Sequence, residues 1–291
     1  MDKLKANRAA SVKDKLLRLA KAQGQPFDVM LVRYGLERLL YRLSISRYRN
    51  RFILKGGLLV TLWVDDAMRV TRDVDLLGQG EDNQDLLKGT FSEILSIEVD
   101  DGLIFDSANL IAEAIREDIK YGGTRLKTLA FLERTRISIT IDIGFGDAVT
   151  PAPMDIDFPN LLDNEVSNVR AYPPTTVIAE KFQAMVNLGL INGRMKDYYD
   201  LWAIPQSLSI DQNALDAAIE ATFSRRGTAV PTETPPGLSD AMYTSPDKLR
   251  QWDAYARSIA FDGPPFREIV QTIWELVGSA CSRINANAIR N

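Results

Sequence analysis

The sequence predicts an α+β protein, with a sheet core flanked by helices and a mainly helical C-terminal region. Three observations carry this. Residues 136–143 alternate strictly, Ile137, Ile139, Ile141 and Ile143 on one face and Arg136, Ser138, Thr140 and Asp142 on the other, the period of a half-buried strand. Residues 11–43 place apolar side chains at helical spacing, and from residue 175 onward helical spacing returns.

Taken in order, Ser11-Val12-Lys13-Asp14 reads as a capping box opening a helix with Leu16, Leu17, Leu19 and Ala20, which Gly24 ends. Residues 26–43 form a second helix. The apolar run Phe52-Ile53-Leu54 is a short strand that delivers Lys55 and the pair Gly56-Gly57. Residues 58–64 then read as a short helix and residues 72–77 as a second strand. Residues 78–80 turn the chain into a helix over 82–97 with Leu86, Leu87, Phe91, Ile94 and Leu95 inward. Strands are expected near residues 97–99, 103–105, 124–132 and 136–143. Residues 151–174, rich in Pro, Asp and Asn, read as a linker or irregular cover. Helices follow over 177–190, 195–204, 212–223, 246–259 and 266–284, with a proline-rich loop at 227–238. Three regions result: basic N-terminal helices over 1–50, a core over 51–170 and a helical domain over 171–291.

Composition narrows the chemistry. With 45% apolar and 25% charged residues the chain has a soluble globular balance, and neither a membrane-length apolar run nor an apolar leader is visible, so a cytoplasmic protein without membrane contact is expected. There is no histidine, and Cys281 is the one cysteine. That excludes a Ser-His-Asp triad, a Cys-His dyad, an HExxH zinc site and any intrachain disulfide. Carboxylates, Lys, Arg, Tyr and Ser remain. Residues 1–51 hold thirteen Lys/Arg against four Asp/Glu, while the whole chain is at −4. The excess suggests a polyanionic partner, or else a solvated basic helix face.

Asp73 and Asp75 are two apart, so on a strand they project together while Val74 and Leu76 face the core. Two hard oxygen ligands at that spacing suit Mg²⁺. Gly56 and Gly57 let the backbone approach a phosphate, and the following helix N-terminus adds N–H donors. With Lys55 nearby and Asp142 on the polar face of its strand, the set suits phosphoryl or nucleotidyl transfer, in which positioning and charge neutralisation do most of the catalysis. In a two-metal form the ions lie about 3.5 to 4 Å apart, and Asp142 completes the site of the one that activates the attacking hydroxyl. Later, Asp197 and Asp200 are one helical turn apart and share a face, where they either pair with Arg194, Lys196 or Lys181 or serve a site. Tyr121-Gly122-Gly123 with Arg125 reads as hairpin punctuation, the other reading being a border of the acceptor site.

Together, KGG at 55–57, RDVD at 72–75, IDIGFGD at 141–147, AEKF at 179–182 and RMKDYYDLW at 194–202 resemble the AbiEii/AbiGii toxin family of nucleotidyltransferases, relatives of the MenT toxins. The resemblance implies a nucleotidyltransferase-type mixed sheet flanked by helices and joined to a C-terminal helical region. It implies Mg²⁺-dependent transfer (Mn²⁺ as substitute ion) from an NTP to an RNA acceptor, the tRNA 3′ end, which inhibits translation, and a cognate antitoxin. Carried over by motif, the catalytic residues are Asp73, Asp75, Lys181 and Asp200, the metal ligands Asp73, Asp75 and Asp142, and the nucleotide contacts Lys55, Gly56, Gly57, Arg72, Lys196 and Asp197. Leu58 departs from the pattern, since many relatives have Ser or Thr there. Transfer to a protein or small-molecule hydroxyl and a non-catalytic nucleotide-binding module are the alternatives.

Overall fold

The computed structural model describes residues 3–64, 66, 68–115, 122–162 and 165–290, with side chains from residue 7 onward. The chain forms two compact units: Met1–Leu62, Val70–Gly146 and Met154–Ala171 make the first, and Trp63–Arg69, Asp147–Pro153 and Tyr172–Asn291 the second.

The first unit is built on one mixed sheet. Its strands are β1 (Phe52–Lys55), β2 (Val74–Gly78), β3 (Leu103–Phe105), β4 (Ile111–Ile115), β5 (Gly123–Leu132), β6 (Thr135–Phe145), β7 (Met154–Phe158) and β8 (Ser167–Ala171). Their order is β3-β5-β6-β2-β1-β8-β7, with β4 also on β5. The pairs β2/β6 and β1/β8 are parallel and the others antiparallel. Helices α1 (Lys3–Ala22), α2 (Phe27–Ile45), α3 (Gly56–Trp63) and α4 (Gln84–Leu95) complete it, the last residue of α3 belonging to the second unit. The alternating isoleucines of β6, at 137, 139, 141 and 143, are all buried. α2 packs on them closely enough that a Cβ on Gly35 would lie 2.8 Å from Ile139 Cδ1.

Several local expectations are corrected. α1 begins at Lys3, so Ser11 and Asp14 are exposed mid-helix residues and not a capping box. The true stripe is Ala9, Val12, Leu16 and Ala20, buried at spacings that extend upstream of Ser11, while Leu17 is exposed. Leu86 is likewise exposed on α4, whose cap is Asn83. Residues 97–99 form no strand, β4 was not anticipated, and the expected cover over 151–174 holds β7 and β8. β8 has only Val169 and Ala171 as inward apolar residues, and edge strand β7 has Asp155 and Asp157 pairing with Arg49 and Asn168. Charged edges of this kind discourage further pairing, and they hide the apolar pattern of a strand.

The basic N-terminal segment is largely spent internally. Arg38 Nε and Arg42 Nη1 both donate to Asp101 Oδ2, at 3.0 and 2.6 Å, in the loop before β3. Arg38 also meets Glu165, while Arg8, Lys13, Arg47 and Arg49 meet Asp100, Glu133, Glu93 and Asp155. Among the described residues, six of these cations thus face carboxylates from later in the unit. The sequence asymmetry is in good part a folding device, for which the polyanion reading is not needed.

Glu37 on α2 is buried beside this cluster. Its Oε2 accepts the Leu161 N–H at 2.7 Å, and its Oε1 lies 3.7 Å from Arg38 Nη1 without a hydrogen-bond partner. Burial pushes Glu37 up to about 7, outweighing the Leu161 amide and the Arg38 and Arg33 charges. A folded value above the ordinary 4.5 means that the protonated form favours folding; this contribution is full below 4.5 and is lost as pH rises through about 7. Glu37→Gln should therefore gain stability over wild type between about pH 5 and 8, by up to about 3 kcal/mol. Urea unfolding at both ends of that range measures it, and a pH-independent difference would contradict it.

The second unit is helical: α5 (Pro174–Leu188), α6 (Met195–Ser207), α7 (Gln212–Arg225), α8 (Asp240–Thr244), α9 (Pro246–Ser258) and α10 (Phe266–Arg290). Its core is aromatic, with Phe182 against Phe223 at 5.2 Å and Trp252 stacked on Phe266 at 4.9 Å. Cys281 is buried on α10, its thiol pushed up to about 12 by that burial. Among the described residues no helix is long and apolar enough to cross a membrane.

Candidate active site

Strand pairing sets five charged residues in one line across the first unit's sheet, the outermost being Glu113 of β4, opposite Arg125 and paired with Lys127 at 2.7 Å. Lys55 of β1 lies opposite Asp75 of β2, Asp75 opposite Asp142 of β6, and Asp142 opposite Arg125 of β5. Register partners share a face, so a cation, two carboxylates and a second cation run across four neighbouring strands. Asp73, one residue before β2, joins them: ligand oxygens of Asp73, Asp75 and Asp142 all lie within 4.8 Å of one another.

Each carboxylate is held differently. Thr71 Oγ1 donates to Asp73 Oδ1 at 2.5 Å. Asp75 Oδ2 accepts the Gly57 N–H at 3.3 Å. Asp142 is gripped by both oxygens, Arg125 Nε donating to Oδ1 at 2.7 Å and Nη2 to Oδ2 at 2.6 Å. Burial first, and then the charges of Asp73 and Asp142, push Asp75 up to about 6, although Lys55 and the Gly57 amide pull the other way. Three clustered carboxylates strained in this way fit a divalent cation, which would relieve their repulsion.

The glycine pair has a role that the sequence reading did not assign. α3 starts at Gly56 itself, with φ +70°, and a Cβ there would sit 1.9 Å from Asp75 Oδ2. Gly56 is what lets Asp75 lie against the backbone. The Gly57 amide faces Asp75. Leu58 is 3% exposed, so its place in the pattern is a core position here. Lys55 reaches across the line, 3.9 Å from where a Cβ on Gly144 would be.

Arg72 does not join the row; it pairs with Asp28 of α2 at 2.8 Å, both side chains exposed. Arg125, read from sequence as hairpin punctuation, is instead the partner of Asp142 within β5, and Tyr121 lies outside the described residues.

In the second unit, Lys181 on α5 lies 2.5 Å from Asp197 Oδ1 and 2.9 Å from Asp200 Oδ2, both on α6. Arg69 takes both Asp200 oxygens at 2.7 Å, and Arg194 Nε comes within 2.7 Å of Asp197 Oδ2. Burial alone would raise Asp200, but Lys181 and Arg69 hold it below its ordinary value; the same network keeps Lys181 above its own despite its burial. Lys196 is half-buried on α6. The shared face of Asp197 and Asp200 is thus a paired cluster. A second group links three motifs: Arg226 Nη2 lies 3.1 Å from Asp147 and 3.4 Å from Glu180, and Tyr172 donates to Glu180 at 3.1 Å.

Sequence reasoning missed Arg69 and Thr71. The signal was there: Arg69, Thr71, Asp73 and Asp75 fall at every second position, a polar alternation that begins before the strand.

A solved structure of a candidate nucleotidyltransferase from Helicobacter pylori is similar at 10% identity and a TM-score of 0.45, over 88% of this chain and 96% of that one. JHP933 from Helicobacter pylori is similar at 12% identity and a TM-score of 0.43, over the same shares. No curated protein sequence matches. The family model described as "Nucleotidyl transferase AbiEii toxin, Type IV TA system" matches residues 38–272, which span the charged row and the Lys181 network alike. The chain belongs to the AbiEii nucleotidyltransferase toxin family.

Proposed function

We propose that this toxin-family nucleotidyltransferase is Mg²⁺-dependent and transfers a nucleotide from an NTP to an RNA acceptor, the tRNA 3′ end, thereby inhibiting translation until an antitoxin counters it. The observation that carries the reading is the triad Asp73, Asp75 and Asp142, flanked in register by Lys55 and Arg125. Asp73, Asp75 and Asp142 would hold the metal, which when bound supplies charge neutralisation for the triphosphate and activation of the attacking hydroxyl. Lys55 balances charge beside Asp75, and Gly56 and Gly57 keep the Asp75 carboxylate seated on the α3 N-terminus. Arg72, exposed beside Asp73, is a phosphate contact once it leaves Asp28. Lys181, Asp197 and Asp200, with neighbouring Lys196, form the second functional group, in which Lys181 acts on phosphate and the two aspartates position it. In the reaction the acceptor oxygen bonds to the α-phosphorus as the bond to pyrophosphate breaks.

A second acceptor class has one observation in its favour. Six N-terminal cations are engaged with carboxylates, so less basic surface remains for RNA than the sequence suggests. Incubation with each labelled NTP, Mg²⁺ and total tRNA should place label on tRNA 3′ ends, with base and position read by mass spectrometry. Label confined to protein or small molecules would replace the RNA acceptor with a hydroxyl of that class.

A further inference from the structure

Arg125 stands out in the charged row because of how it holds its neighbour. Its guanidinium meets both oxygens of Asp142, at 2.7 and 2.6 Å, across the register pair of β5 and β6. A fork-on-fork pair of this kind uses the carboxylate lone pairs that face the guanidinium. Each oxygen keeps a second lone pair, but a cation drawing on Asp142 withdraws charge from the same carboxylate and repels the guanidinium that it holds. Arg125 is the more exposed partner, its side chain 36% accessible against 14% for Asp142. It can therefore swing outward, while Asp142 is fixed beside Asp75.

Charge points the same way. Three carboxylates with Lys55 and Arg125 sum to −1 by the signs of their groups, and Glu113, opposite Arg125 on β4, is offset by its own partner Lys127. Divalent cations make the row positive, and a polyphosphate then restores balance if a donor at its rim receives it. Arginine is the side chain whose planar fork fits carboxylate and phosphate equally well.

We propose that Arg125 is a resident counter-ion of Asp142, displaced when a divalent cation takes up Asp142 and thereby freed to bind a phosphate oxygen of the incoming triphosphate. This rests on the metal reading above. Arg125 is thus a positioning residue for Asp142 in the nucleotide-free protein and a substrate contact in the loaded one.

The test is a Mn²⁺ titration of nucleotide-free protein, with free Mn²⁺ read by its paramagnetic resonance. Arg125→Gln should bind Mn²⁺ about tenfold more tightly than wild type, the size expected for removing a partly exposed charge-assisted pair. Adding Asp142→Asn should erase that gain. With Mn²⁺ saturating, the same Arg125→Gln protein should bind inorganic tripolyphosphate about tenfold more weakly. Arg125→Lys, which keeps the charge but loses the fork, should fall between on both measures, and it serves if the glutamine variant melts early. Unchanged or weaker Mn²⁺ binding by Arg125→Gln, a gain that survives Asp142→Asn, or undiminished tripolyphosphate binding would each overturn the proposal. If Asp75→Asn leaves Mn²⁺ affinity intact, the metal reading itself falls, a failure distinct from the others.

Discussion

Replacing Asp75 by asparagine should abolish nucleotide transfer, on the order of a thousandfold or more, the scale on which loss of one preorganised electrostatic group slows a reaction. Asparagine keeps the shape that rests on Gly56 and an oxygen that can accept the Gly57 N–H. What it removes is the charge at the centre of the row, between Lys55 and Asp142. Stability should move the other way. Asp75 is pushed up to about 6 by burial and by Asp73 and Asp142, so in the metal-free fold its ionised form is disfavoured at neutral pH. Its folded value exceeds the ordinary 3.8, and the stability tied to the protonated form is lost as pH rises through about 6. The asparagine variant should therefore melt at or above the wild-type temperature at neutral pH, with kcat lost. A functional site that costs stability is a familiar exchange. Transfer assays beside thermal melts decide it: retained transfer, or loss that tracks unfolding, would remove Asp75 from the centre of the chemistry.

For Asp200 the expected effect is on the fold. Asp200 is fully buried, and its oxygens receive two N–H groups of the equally buried Arg69 and approach Lys181 at 2.9 Å. Asp200→Asn leaves Arg69 buried without the carboxylate that receives its fork, and breaking a buried pair in this way costs about 3 to 5 kcal/mol. Asp197→Asn should cost less. Lys181 keeps Asp200, and Arg194, with 55% of its side chain exposed, can turn to water. Chemical unfolding of the two variants gives the comparison, and equal or reversed losses would show that Arg69 is not the group that suffers. Lys181 and Arg69 hold Asp200 below its ordinary value, so its contribution is present above about the ordinary 3.8 and lost as pH falls through the lowered value.

Much of the fold was legible because periodicity reports burial directly. The isoleucines of β6 and the helices of the second unit follow patterns that water alone imposes. β7 and β8 escaped, since their outward positions carry Asp, Asn and Arg and their inward ones few apolar groups. α1 began early because a buried Ala9 makes a weak apolar signal.

The candidate site divides along the same physical line. By itself the sequence determined the residue inventory: no histidine, a KGG turn, alternating aspartates at 73 and 75, and a polar Asp142 on a strand of isoleucines. Side-chain alternation is a local property, so which face each residue takes can be read from the chain. Only tertiary structure decided the partners. Register placed Lys55, Asp75, Asp142 and Arg125 in one line, turned Gly56 into the seat of a carboxylate, and consumed Arg38 and Arg42 on Asp101. Pairing between strands distant in sequence depends on the energy of the whole sheet, and a charge pattern along the chain does not encode which charges meet.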